Sequence, residues 1–189
     1  FIGKTVSNSI LEIILGLQRE VERLHLQRSA TPEEARRANL ELRQDMRKIN
    51  NYFPHLEEEA RNLLAKIDHS SGPLSERLTA ELANKLGFTL HYVQDLPAST
   101  RVITDEKNGR IYLPMRREGR DARTILLQAL AGHVLKHPTP SDYREYLTQR
   151  VQTNYLAGAL LMPESNDVEF LQDAKTKRER YVEDLRDYF

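Results

Sequence analysis

Apolar residues return every three or four positions near the start of the chain, at Ile10, Ile13, Ile14, Leu17, Val21 and Leu24. That spacing puts them on one face of a helix, and Ser7 or Ser9 can cap it. The run fades from His25 to Ala30, and a second start follows at Thr31-Pro32-Glu33-Glu34. Thr31 suits the N-cap, Pro32 the first helical position and Glu34 the carboxylate of a capping box. A sparse stripe continues through Leu40, Met46, Ile49, Phe53, Leu56, Leu63, Leu64 and Ile67, and Pro54 is expected to kink or break it behind Tyr52-Phe53. The stripe is narrow and its flanks are charged, as in a helix that buries one edge against a partner. We expect Ile10, Ile14, Leu17, Val21 and Leu24 to pair with a second copy, the other arrangement being a stripe folded back on its own domain.

The texture changes after residue 69. His69-Ser70-Ser71-Gly72-Pro73 is turn-forming and aperiodic, the best boundary in the chain. Residues 1–69 then read as a helical linker or dimerisation arm, and 74–189 as a domain. A helix is expected from Ser75 to Leu86, with Leu78, Leu82 and Leu86 on one side and Gly87 closing it. Phe88, Leu90 and Tyr92 then alternate with Thr89, His91 and Val93, and two further strand-like segments follow at 101–104 and 110–113. Asn108-Gly109 between those two is a hairpin signal. These segments predict a three-stranded, mostly antiparallel sheet that must lie on the helices after it. Those helices are expected at Arg120 to about His137, about Ser141 to Met162 and about Asp167 to Phe189. Pro138, Pro140 and Pro163 bound the first two. The fold class is α+β and mainly helical.

Composition narrows the function more than the fold. Lys plus Arg and Asp plus Glu number 28 each, so the chain as a whole has no electrostatic grip on nucleic acid or membrane. Cysteine is absent, which excludes disulfides, thiolate zinc sites and cysteine nucleophiles. That fits a cytoplasmic protein. No run of about 18 apolar residues exists to span a bilayer. The chain begins with Phe1, and a piece of a longer protein is expected.

The segment 128–137, Gln-Ala-Leu-Ala-Gly-His-Val-Leu-Lys-His, has the shape of the helix that carries His-Glu-x-x-His in zinc peptidases. There, two histidines four apart hold the metal, and the glutamate acts as base on zinc-bound water. Here only the second histidine remains, as His133, with Ala129 and Leu130 at the positions of the first histidine and the glutamate. Neither Ala nor Leu binds a metal or accepts a proton. A second passage at 152–163, Gln-Thr-Asn-Tyr-Leu-Ala-Gly-Ala-Leu-Leu-Met-Pro, stands at the matching distance. Together the two resemble the ImmA/IrrE peptidase-like family over about Pro73 to Pro163. The resemblance implies that an acidic metal ligand is replaced by Gln152, and a neutral amide is a poor zinc ligand. It therefore implies a peptidase-like fold without peptidase chemistry: no enzyme, no metal and no cofactor.

Upstream, residues 46–64 resemble the helical stretch before this domain in bacterial XRE-type regulators of short-chain fatty acid metabolism. The resemblance implies the effector-sensing and oligomerisation segment of a transcription regulator. Its effector would be an acyl-CoA, and its DNA contact would come through a helix-turn-helix not evident in this chain. Regulators of palindromic DNA are two-fold symmetric, which agrees with a homodimer. The alternatives are a zinc metallopeptidase with a rearranged site and a plain protein-interaction module.

Candidate residues follow from both readings. Arg116, Arg117, Arg120 and Arg123 cluster where a helix begins, and such a patch can hold phosphates; a solvated turn balanced by Glu118 and Asp121 is the ordinary alternative. Ala129, His133, Gln152 and Tyr155 would line an apolar slot left where a metal once sat, suited to an acyl chain. The aromatics Tyr143, Tyr146, Tyr155, Phe88 and Tyr112 could line an acyl pocket, with core filling the more ordinary role of each. His133 and His137 supply only two ligands, so a packing or capping role is the simpler one.

Overall fold

The structure is a computed structural model that describes Val21 and residues 30–70, 72–94, 96, 100–115 and 122–163. The Ile10, Ile14, Leu17 and Leu24 stripe and the expected helix from Asp167 lie outside the described residues. Val21 is helical and half exposed.

Helix α1 spans Pro32–Lys48, and its start follows the capping logic of the sequence. The Glu34 amide donates to Thr31 Oγ1 at 3.3 Å, and the Thr31 amide donates to Glu34 Oε2 at 2.8 Å. Those bonds also hold the Glu34 carboxyl below the usual carboxylate range. The chain leaves α1 through Asn50 and Asn51, both left-handed with φ of 53° and 54°, a conformation asparagine tolerates best among residues with a side chain. Pro54 then opens α2, Pro54–Ala65, rather than kinking a continuous helix.

Leu56, Ala60, Leu63, Leu64 and Ile67 are all buried. They form the i, i+4, i+7, i+8 stripe of a core-facing helix. Their partners decide what the stripe is for. Ala60, Leu63, Leu64 and Ile67 share one hydrophobic core with Leu82, Ile111, Leu127, Leu130, Leu156 and Leu160. The segment expected to end a dimerisation arm is therefore a wall of the domain core. Residues on both sides of the expected boundary, Leu64 and Leu82 among them, belong to that one core.

Helix α3, Glu76–Lys85, is capped by the Ser75 side chain. It closes at Gly87, whose φ of +87° only glycine takes without strain. Strands β1 (Thr89–Val93), β2 (Ile103–Asp105) and β3 (Arg110–Pro114) lie in the order β1-β3-β2. β2 and β3 form the antiparallel hairpin expected around Asn108-Gly109. β1 pairs with β3 in parallel, Leu90 beside Ile111 and Tyr92 beside Leu113, so the sheet is mixed and this edge corrects the antiparallel expectation. The physical reason is that alternation fixes which side chains share a face and carries no direction. The chain crosses after β1 and returns on the far side of β3, which brings β1 and β3 parallel.

Helices α4 (Ala122–Leu135) and α5 (Tyr143–Leu161) pack on each other, and α1 and α2 both pack on α5. α4 ends two residues earlier than expected, at Leu135, because Lys136 is left-handed with φ of 46°. The Asp142 side chain caps α5 by accepting from the Glu145 amide at 2.7 Å. Arg144 near the start of α5 reaches Glu41 Oε2 at 3.3 Å and Asp45 Oδ2 at 2.7 Å on α1. The Asp45 carboxyl is held low by Lys48 first and by Arg144 next.

Candidate functional site

Helices α4 and α5 bring the degenerate motif positions to one part of the fold. The two helices approach closely near Gly132, where a Cβ would lie 3.9 Å from Thr153 Cγ2. One turn earlier, Gln128 Nε2 donates to Asn154 Oδ1 at 3.2 Å. Leu130 is core, 1% exposed, and Ala129 and Gln152 are half-buried.

His133 is engaged with the sheet. Its ring meets Phe88 edge-on, with centroids 4.7 Å apart, and Nδ1 lies 3.4 Å from Glu106 Oε1 in the β2–β3 turn. His137 lies beyond the end of α4, so the two histidines do not share a helical face as an i, i+4 pair would. The Nε2 atom of His137 is buried without a partner, and burial pushes its pKa below the ordinary imidazole value.

The residues do not fit a zinc ion. Among the described residues no group of three or more His, Asp or Glu side chains converges. Ala129 and Leu130 offer no donor atom, and a site with His133 as its single strong ligand falls short of the three or four that zinc takes.

Tyr155 is turned to another use. Its hydroxyl donates to Glu57 Oε1 at 2.7 Å, and its ring meets Phe53 edge-on at 5.0 Å. Burial, then the bond to the Glu57 carboxylate, push the phenol pKa up to about 12. The residue expected to line a slot between α4 and α5 thus pins α2 to α5.

A cavity of about 280 Å³ lies at the opposite end of α4, over the carboxyl ends of β1 and β3. Leu90, Tyr92, Leu113, Met115, Ile125 and Leu126 make its apolar wall. Tyr92 and Met115 are the exposed ones, at 56% and 53%. Arg123 also lines it and donates from Nη1 to Leu74 O at 3.0 Å. Arg116, Arg117 and Arg120 lie outside the described residues. They belong to the segment that joins Met115 to Ala122, and both of those residues line the cavity. None of these six wall residues is legible as a site in the sequence, because alternation alone does not say where the carboxyl ends of the strands gather. The available signal was the rule that ligands bind beyond the carboxyl ends of parallel strands, which applies once β1 and β3 are known to run together.

No protein-family model matches the chain, and no curated protein matches it. Among solved structures it is similar to a Mycobacterium tuberculosis transcriptional regulator, with 19% identity and a TM-score of 0.56. That likeness covers 74% of this chain and 45% of the regulator, so the chain spans less than half the length of that protein. At this identity the likeness shows a shared fold. No described helix is long and apolar enough to cross a membrane.

Proposed function

We infer that the chain is the effector-sensing segment of a bacterial transcription regulator, built on a peptidase-like fold that has lost its metal chemistry, and that its effector is an acyl-CoA. The carrying observation is the cavity at the head of α4, whose apolar wall of Leu90, Leu113, Ile125 and Leu126 stands beside Arg123, with Glu76 and Thr79 adding polar groups. An acyl chain needs an apolar hollow, and a CoA phosphate needs arginine. Arg123 and the apolar wall stand together at the head of α4, which supports this reading. The fold shared with a transcriptional regulator supports the regulatory role. Ala129, Leu130 and Gln152 support the loss of peptidase activity, since none of the three can replace what zinc hydrolysis requires. In this reading the protein works as a cytoplasmic homodimer.

Isothermal titration with acetyl-, propionyl- and butyryl-CoA tests the proposal. Arg117→Ala/Arg120→Ala should weaken binding at least tenfold, and Leu126→Trp, which fills the hollow, should weaken the acyl-CoAs more than free CoA. No heat from any of the ligands, or unchanged affinity in both variants, overturns it.

A further inference from the structure

The zero net charge of the chain hides a segregation on α1. With 3.6 residues per turn, Arg36, Leu40, Arg43 and Arg47 fall within an arc of about 60°, opposite the buried Ala38. The acidic residues of the helix lie mostly on the other side and are engaged there. Glu34 closes the Thr31 cap, Glu41 meets Arg37 and Arg144, and Asp45 meets Lys48 and Arg144. Arg36, Arg43 and Arg47 are exposed and make no ion pair among the described residues. Glu33, in the first turn, is the carboxylate nearest their side of the helix.

We propose that this arginine face of α1 is a contact surface for the sugar–phosphate backbone of duplex DNA. Leu40, 60% exposed, is the single large apolar residue among the three arginines. A partner helix would need apolar residues repeating every three to four positions along that face, and they are absent. A phosphate row needs cations at intervals and little apolar area. Arg36 and Arg47 stand 11 positions apart, about 16 Å of helix, along which one DNA strand presents about five phosphates. The inference goes beyond effector sensing: the segment itself touches DNA, without reading its sequence.

The test is fluorescence anisotropy of the full chain with a labelled mixed-sequence duplex of about two helical turns, titrated across salt. Three phosphate contacts give a slope of log K against log salt of about −2.7, or about a 40-fold loss of affinity between roughly 50 and 200 mM salt. Arg36→Gln/Arg43→Gln/Arg47→Gln should remove most of that slope while leaving the melting temperature and acyl-CoA titration unchanged. Arg77→Gln/Lys85→Gln/Arg150→Gln, three exposed cations off α1, should leave the slope in place. The proposal is overturned by no binding at low salt, by an equal slope in the α1 variant, or by an equal loss in the control variant. Tighter binding of polyglutamate than of the duplex, with the same arginine dependence, assigns the face to an acidic protein instead.

Discussion

Replacing Tyr155 with Phe removes one oxygen and tests whether α2 belongs to the domain core. The ring would still meet Phe53, so little packing is lost. Glu57, 8% exposed, would lose the hydrogen bond that Tyr155 donates at 2.7 Å. A hydrogen bond to a charged group contributes about 1.5–3 kcal/mol, and leaving a buried acceptor unmade costs a similar amount. We expect Tyr155→Phe to cost about 2 kcal/mol by urea denaturation, or about 4–8 °C in Tm for a domain of this size. Glu57→Leu/Tyr155→Phe removes both partners and should cost less than the sum of the two single changes, with a coupling of about 1–2 kcal/mol. The alkaline limb gives an independent readout. The folded phenol titrates at about 12, above the unfolded value of about 10. Its stabilisation is complete below pH 10 and disappears as pH rises through 12, and Tyr155→Phe should lack that loss. A single change costing under about 0.5 kcal/mol, or strictly additive costs, would refute the reasoning and free α2 from α5.

Gly109→Ala should destabilise by about 2 kcal/mol or more in urea, because φ there is +62° and a Cβ would collide with the Gly87 carbonyl oxygen; a neutral substitution would refute the packed contact between the hairpin and the end of α3. His137 has its folded pKa lowered by burial, so its share of stability is present above the unfolded value of about 6.5 and is lost as pH falls below it. His137→Gln should flatten that acid limb, and an unchanged profile would count against a buried imidazole. Ile14→Asp/Leu17→Asp should convert a dimer to monomer in light scattering, while a wild-type monomer at high concentration would end the dimer proposal. Atomic absorption on protein purified without chelator should find no zinc, and about one ion per chain would revive the metallopeptidase reading.

The local signals in the sequence were faithful where a few adjacent residues settle the outcome. Thr31 to Glu34 encode a cap that the structure builds atom for atom, and Asn108-Gly109 encode the β2–β3 turn. Pro54 announced a break and serves as the first residue of α2. What the sequence withheld was pairing at a distance. The 56–67 stripe shows that α2 buries one face, and nothing in its own spacing says whether the partner is a second copy or α5. Glu57 shows the same limit, since a carboxylate beside apolar residues reads as solvated until Tyr155, 98 positions away, is placed against it. The direction of β1 was hidden for a related reason, because hydrophobic alternation is unchanged when a strand is reversed.

The candidate site combines both kinds of signal. The motif placed Ala129, Leu130 and His133 correctly on one helix, and the chemistry those residues cannot perform was readable without coordinates. The cavity lies toward the other end of that helix, which the motif does not mark. At the His133 end, Phe88 and Glu106 already engage the imidazole, while Leu130 fills the core. At the Ala122 end, 11 residues and about 16 Å before His133, a cavity opens over the carboxyl ends of β1 and β3. None of Ala129, Leu130, His133 and Gln152 lines that cavity, so the motif positions and the proposed acyl-CoA site are separate. The motif positions and the proposed ligand site draw on different ends of α4, and a substitution at Ala129 or His133 should alter stability before it alters ligand affinity.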